Sequence, residues 1–316
     1  MNILEKFQTI IIFAALILGL LFGQVAIISD NASHFIVPFL FAMLFGVFLD
    51  IPLKDFTKGF SNFRFTRLTL LINFIWTPLL AYFLGAIFLN QEPALWIGFV
   101  MLMVTPCTDW YIVFTNIARG NVPLSASILP LNLMVQLILL PVYLLLFFGA
   151  SGTFDMGMLI ESIVYIVVLP FILAQIVRYL LSKWNSIEKP VISFFTSAQI
   201  IFLSLAIFCM FASQGKLLLD NLMVVLILLI PILLFFIINF LLVQFVGKIA
   251  KLAYKECTSL CLTTLARNSP IALAIAVVAF PNEPLIALAL VIGPLIELPV
   301  LAIVSQVLLF IKERAV

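Results

Sequence analysis

The sequence Met-Val-Thr-Pro-Cys-Thr-Asp-Trp, at residues 103–110, interrupts a long apolar run, and Ala-Arg-Asn-Ser-Pro, at residues 266–270, interrupts another. Proline removes a backbone donor and clashes with the preceding turn, so a helix opens where it stands. Threonine, aspartate, asparagine and serine are good caps for a helix that restarts. Each stretch therefore predicts a broken helix. We name them break one (residues 103–110) and break two (residues 266–270).

The composition around the two breaks indicates lipid as the surrounding solvent. The chain has 316 residues, of which 65% are hydrophobic and 9% charged, whereas a soluble domain carries about 25% charged residues. The net charge of +2 is too small to suggest a nucleic-acid partner. The four cysteines have neither disulfide nor zinc-site spacing, and we expect no cofactor. No paired-aspartate, Ser/His or metal-ligand motif appears, so we do not expect an enzyme.

Apolar runs long enough to cross the hydrocarbon core need roughly 20 residues. The sequence contains ten such runs, with break one in the fourth and break two in the ninth. They cover residues 7–28, 34–49, 68–89, 94–118, 123–148, 157–181, 191–213, 218–246, 254–280 and 284–311. We therefore predict an all-α polytopic membrane protein with ten transmembrane helices.

The distribution of positive charge predicts the orientation in a cell membrane. With both termini cytoplasmic, every Lys and Arg except Lys216 and Arg267 falls on the cytoplasmic side. Cytoplasmic loops of membrane proteins carry such an excess. An even number of spans is consistent with this distribution.

The two breaks also suggest an internal repeat. A shift that places Pro123 on Pro284 places Gln136 on Glu297 and break one on break two. Five spans per half would invert residues 1–150 relative to residues 151–316 within one integral membrane unit. Many secondary transporters have this architecture and bind their solute where the repeats meet.

The deepest charges of the chain, Asp109 and Arg267, lie in the two breaks. A charge at the membrane centre is costly and marks a pathway or a partnered group. We expect these two to face each other, either as a structural ion pair or as a pair that opens when substrate or a proton binds. Cys107 precedes a restarted half-helix, whose positive end favours a thiolate or an anion. The predicted substrate site consists of Cys107, Thr108, Asp109, Asn268 and Ser269, and Arg267 is a predicted coupling residue.

Four further polar residues lie in apolar spans. Glu297, between two prolines, is a candidate proton carrier or a protonated side chain that hydrogen-bonds a neighbouring span. Gln136 and Asn132 lie on the repeat-related span and supply amide ligands or bridge helices. Asn73 has the same two interpretations.

Several motifs carry a resemblance to a known family. They are Thr-Pro-Cys-Thr at 105–108, Ala-Arg-Gly at 118–120, Leu-Asn-Leu-Met-Val-Gln at 131–136, Ala-Leu-Ala-Ile-Ala-Val at 272–277 and Gly-Pro-Leu-Ile-Glu-Leu-Pro-Val at 293–300. On these motifs the chain resembles the arsenical-resistance permeases, the arsenite efflux branch of the bile acid:sodium symporter superfamily.

The resemblance implies a ten-span 5+5 inverted repeat with panel and core domains, and crossing discontinuous helices in spans four and nine. It also implies proton-driven antiport of arsenite or antimonite across the plasma membrane. Cys107 matches the family's essential cysteine and is the candidate ligand for the metalloid.

The chain departs from the family at break two. The family has paired asparagines followed by Phe-Glu, whereas Ile271 occupies the position of that glutamate here. Asp109 stands where the family has a small residue, and Arg267 adds a cation. Either Asp109 replaces the missing carboxylate, or the substrate is a small organic anion held by Arg267 and coupled to sodium or protons.

Overall fold

A computed structural model describes residues 3–50, 62–108, 110–149, 156–183, 185–220 and 222–314, and these residues are nearly all helical. The helices are α1 (Ile3–Phe22), α2 (Ala26–Asp50), α3 (Phe63–Leu71), α4 (Thr77–Phe88), α5 (Pro93–Met103), α6 (Trp110–Ile117), α7 (Val122–Phe148), α8 (Met156–Ile163), α9 (Leu169–Leu181), α10 (Asn185–Asp220), α11 (Leu222–Ile249), α12 (Tyr254–Leu265), α13 (Ser269–Ala279) and α14 (Pro284–Arg314). Two π-helical turns, Ile72–Trp76 and Val164–Val168, join α3 to α4 and α8 to α9.

Seven helical segments in the described chain are long and apolar enough to cross a membrane. They are Ala26–Asp50, Phe63–Phe88, Val122–Phe148, Gly157–Leu181, Glu188–Ser213, Leu226–Ile249 and Pro284–Glu313. Three shorter apolar helices cover Ile10–Phe22, Pro93–Met103 and Ser269–Ala279. The prediction of an all-α polytopic membrane protein is confirmed at this level. The ten-span repeat stays a prediction.

The chain divides into two compact units. Unit 1 contains residues 1–53, 154–224 and 273–287, and unit 2 contains residues 54–153, 225–272 and 288–316. Both breaks lie in unit 2. The predicted boundary of the sequence repeats, at residues 150 and 151, stays a prediction.

Unit 1 is built on α10, which packs against α1 and α2, while α2 also packs against α9. Two glycines four residues apart, one in the last turn of α1 and one directly after it, face α10. A Cβ at Gly19 would lie 2.6 Å from the backbone oxygen of Phe208, and one at Gly23 would lie 2.5 Å from that of Ala212. Small residues four apart allow two membrane helices to approach closely. The two backbones touch here because no side chain separates them.

In unit 2, Pro78 follows shortly after the π turn between α3 and α4. Pro78 has no N–H, so the carbonyl of Phe74, four residues earlier, loses its intrahelical donor. The hydroxyl of Tyr143 on α7 donates to this carbonyl at 2.6 Å. The turn is thereby held against α7, and it carries Asn73, which is fully buried.

The connection after α6 is tied to α12 in the same unit. The Tyr254 hydroxyl donates to the carbonyl of Ala118 at 2.9 Å. The Ser259 hydroxyl accepts from the N–H of Asn121 at 2.9 Å and donates to its carbonyl at 3.0 Å. Arg119 between them adopts a positive φ of 55°. These bonds fix the ends of the two half-helices that flank the breaks.

We expect Gly19→Val to destabilise unit 1 by about 1–3 kcal/mol, because the added side chain meets the backbone of α10 and not a movable side-chain tip. Thermal unfolding of the purified protein in detergent measures the effect. Leu18→Val is the matched control, since Leu18 is 45% exposed. Equal melting temperatures for the two variants would contradict the close packing of α1 on α10.

Candidate functional site

The two breaks satisfy each other's backbone groups. α5 and α6 flank break one, α12 and α13 flank break two, and the extended residues between them form an isolated antiparallel β-bridge. The N–H of Cys107 donates to the carbonyl of Ala266 at 3.0 Å, and the N–H of Asn268 donates to that of Thr105 at 2.6 Å. Unpaired backbone groups are tolerated in a membrane only where protein or a cavity satisfies them. Each break therefore stabilises the other.

The hydroxyl of Thr105 closes the end of α5. It lies within 2.9 Å of the Met101 carbonyl and 3.0 Å of the Leu102 carbonyl, both in the last turn of the helix. The Asn268 carbonyl is 3.3 Å away, across the bridge. Thr105 is fully buried. One side chain thus satisfies the helix end and contacts the opposite break.

Asn268 caps the start of α13 and reaches break one. Its Oδ1 accepts from the N–H of Ile271 at 3.2 Å, as an N-cap side chain does. Its Nδ2 lies 3.3 Å from the Thr108 hydroxyl oxygen. Ser269, the first residue of α13, is also buried. The structure therefore brings together Thr108, Asn268 and Ser269, three of the residues assigned to the substrate site.

Cys107 lies at the centre of break one. Its side chain is 4% exposed and forms no disulfide. Asp109 lies outside the described residues, so its proposed pairing with Arg267 stays a prediction. No group of three or more His, Cys, Asp or Glu side chains that suits a metal occurs in the described ranges. The role of Cys107 as a ligand stays a prediction.

Arg267 is 2% exposed and is the largest fully buried side chain in the described chain. Its guanidinium nitrogens donate to uncharged oxygens. Nε donates to the Leu265 carbonyl at 3.1 Å, and Nη1 donates to the Met103 carbonyl at 2.8 Å. Nη2 donates to the Thr264 carbonyl and lies 3.4 Å from Oδ1 of Asn73. The arginine therefore joins the ends of α5 and α12 and the π turn.

Glu297 supplies a carboxyl group to break two from α14. The side chain is 3% exposed, and its Oε1 accepts from the backbone N–H of Arg267 at 2.8 Å. Gly293, one turn earlier, allows α14 to approach α5, since a Cβ there would lie 2.7 Å from the Leu102 side chain. α14 therefore brings a carboxyl group to break two.

Asn132 and Gln136 lie four residues apart on α7 and therefore on one face of it. Both are buried, and none of their side-chain N and O atoms has a hydrogen-bond partner among the described residues. α7 packs against α5 and α12, which lead into the two breaks. A buried amide without a partner is costly. These side chains are therefore candidates for contact with a bound solute or ion.

The sequence analysis missed two residues on α11. The Phe235 ring lies 5.1 Å from the Arg267 guanidinium carbon. The Asn239 Nδ2 lies 3.3 Å from the Thr264 carbonyl, and its Oδ1 accepts from Nε1 of Trp76 at 2.9 Å. Asn239 is the first polar residue of α11, and an amide in a strongly apolar helix was the available signal. Phe235 had no such signal, since apolar residues surround it.

A match to a protein family adds to the evidence from the two paired helix breaks. The sequence profile of the sodium bile acid symporter family matches residues 37–221. The chain belongs to this family. The predicted superfamily is thereby confirmed, and this family member is a membrane transporter and not an enzyme.

Individual relatives are similar at low identity. An uncharacterized transporter of Synechocystis is 23% identical over 97% of this chain and 88% of its own length. An arsenical-resistance protein of Corynebacterium glutamicum is 23% identical over 78% of this chain and 70% of its own. The sodium/bile acid cotransporter 7 of Mus musculus is 24% identical over 43% and 45%, respectively.

We expect Asn268→Ala to lower the melting temperature, because it removes the cap of α13 and the contact with Thr108. The loss of an N-cap alone costs about 1 kcal/mol. Differential scanning fluorimetry of the purified protein measures the shift. Asn116→Ala is the matched control, since Asn116 is exposed on α6. A shift no larger than that of the control would show that Asn268 does not hold the breaks together.

Proposed function

We propose that the protein is a secondary active transporter that exports trivalent metalloids, such as arsenite or antimonite, in exchange for protons. The observation that carries the proposal is the position of the Cys107 thiol. It lies in the bridge between two broken helices, and the Glu297 carboxylate is hydrogen-bonded to the opposite strand of that bridge. The Cys107 thiol, a soft ligand, and the Glu297 side chain, a proton acceptor, are therefore both held at the same β-bridge.

The chemistry of the thiol suits a trivalent metalloid. Thiolates are soft ligands and select soft acceptors. The Cys107 thiol would displace one hydroxide of arsenous acid as water and form a single S–As bond. Water would reverse the exchange on the other side of the membrane. One sulfur ligand permits release, whereas three sulfur ligands would retain the metalloid.

Glu297 is the proposed proton carrier. As a carboxylate it accepts from the backbone N–H of Arg267, and protonation would weaken this bond. Binding of a proton would thereby loosen break two from α14. The amides of Asn132 and Gln136 on α7 have no hydrogen-bond partner in the part of the chain that the structure describes, and they are proposed to contact the solute or the proton pathway. Asn73 is proposed to orient Arg267.

The relatives support this substrate class, since an arsenical-resistance protein is among them. The sodium/bile acid cotransporter 7 of Mus musculus supports the alternative of a small organic anion with sodium or proton coupling. That alternative needs a cation for the anion. Every guanidinium nitrogen of Arg267 already donates to a carbonyl or amide oxygen, which argues against it as the anion site.

The proposed architecture is ten spans in a 5+5 inverted repeat of residues 1–150 and 151–316, with panel and core domains. The ten spans would be the seven long segments, α1, the pair α5–α6 and the pair α12–α13. The distribution of Lys and Arg supports a cell-membrane protein with both termini cytoplasmic. Asp109 and Arg267 are proposed to face each other in the transport cycle.

We expect the wild-type protein to confer arsenite resistance on cells that lack their own exporter, and Cys107→Ser to abolish it, because serine offers a hard oxygen in place of sulfur. Growth and arsenic accumulation are measured at matched expression. Cys209→Ser is the control, since Cys209 is a buried cysteine of unit 1 outside the breaks. Failure of the wild type to confer resistance would refute the metalloid proposal, and an uptake screen of organic anions would then follow.

We expect Glu297→Gln to retain the fold but lose the stimulation of transport by a proton gradient. The amide oxygen can still accept from the Arg267 N–H, whereas it cannot carry a proton. Arsenite flux in proteoliposomes, with and without a pH gradient, measures the loss. Glu283→Gln is the control because Glu283 is exposed. Full gradient-driven flux in Glu297→Gln would exclude Glu297 as the proton carrier.

A further inference from the structure

The oxygens around the Arg267 guanidinium belong to the ends of two half-helices. Met103 is the last residue of α5, and Thr264 and Leu265 are the last two residues of α12. The final carbonyls of a helix lack intrahelical donors and carry the negative end of the helix dipole. Two such ends therefore converge on one buried point of unit 2. A cation is favoured there.

The same oxygens form the type of donor set that binds a free monovalent cation. In transporters with discontinuous helices, half-helix C-terminal carbonyls and unwound backbone coordinate Na⁺. Here three such carbonyls and the Asn73 amide oxygen surround the site, and all four residues are buried. We propose that the guanidinium of Arg267 is a tethered cation, which fills this oxygen cage in place of a free sodium ion.

Neighbouring groups hold the guanidinium in the cage. The Phe235 ring lies 5.1 Å from its central carbon, a cation–π distance. Asn239 contacts the Thr264 carbonyl, which fixes one wall of the cage. Glu297 accepts from the backbone N–H of Arg267 and so positions the residue that carries the charge. These contacts hold the positive charge of Arg267 in the cage.

A tethered charge has a consequence for coupling. A free ion can dissociate and rebind in each transport cycle, whereas a guanidinium bound to the chain cannot. The ion exchanged for the solute must therefore be one that binds elsewhere. This consequence rests on the proposed transport function and deepens it, because it excludes sodium from the oxygen cage and requires the coupling ion to bind at another site. The cage itself does not depend on which solute is carried.

The test compares melting temperatures in sodium chloride and in choline chloride at equal concentration. The wild-type protein is expected to melt at the same temperature in both salts. Arg267→Ala is expected to melt several degrees lower in choline chloride. Sodium should raise its melting temperature in a saturable way, because the vacated oxygens then bind a free cation. Guanidinium chloride at millimolar, non-denaturing concentration should do the same.

Arg64→Ala is the matched control. Arg64 also donates to a carbonyl near a helix end, that of Ala250, but its side chain is exposed. Its loss should create no response to sodium or guanidinium. A saturable sodium response in the wild type would overturn the proposal. The proposal would also be overturned if neither sodium nor guanidinium raised the melting temperature of Arg267→Ala.

Arg267→Lys keeps the proposal testable if Arg267→Ala does not fold. Lysine retains the tethered charge, so this variant should fold and show no sodium response. Failure of Arg267→Lys to fold, or a saturable sodium response in it, would overturn the proposal. The readout needs no substrate. A negative arsenite assay with the expected melting temperatures would therefore refute the metalloid proposal alone.

Discussion

A backbone N–H or carbonyl without a partner inside a membrane costs several kcal/mol, and two interrupted helices expose several such groups. In unit 2 this constraint is met by pairing the interruptions. The N–H groups of Cys107 and Asn268 donate across the bridge, and Thr105 and Asn268 close the adjoining helix ends. Neither break is stable without the other. The position of the thiol therefore follows from a requirement of the backbone.

The paired breaks also bring two negative helix ends together, and Arg267 supplies the positive charge that they favour. The negative ends of α5 and α12 meet, and a single guanidinium binds carbonyls from both. Glu297 holds the backbone of the arginine from α14, and Asn73 reaches it from a π turn. π turns occur frequently at functional sites. Four segments of unit 2 thus converge on Arg267, one of the two charges that the sequence placed deepest in the membrane.

The sequence predicted the existence of both breaks, because proline and capping residues act locally. It also predicted that Thr108 and Asn268 belong together, and their side chains lie 3.3 Å apart. It did not predict the partners of Arg267, which are backbone carbonyls that any residue supplies. Nor did it single out Phe235 or Asn239, which reach the site from a helix of nearly uniform apolar composition. Contacts between distant segments have no local signature in a single chain.

The sequence by itself determined the class of protein, since 65% hydrophobic residues and 9% charged residues cannot cover a water-facing surface. It also determined where the helices break, since proline acts on its own turn. The tertiary structure decided which residues contact the two breaks. It joined residues some 160 positions apart in one bridge and brought Glu297 to Arg267. The physical reason is that backbone groups and charges inside a membrane must find partners, and only the packing of distant helices supplies them.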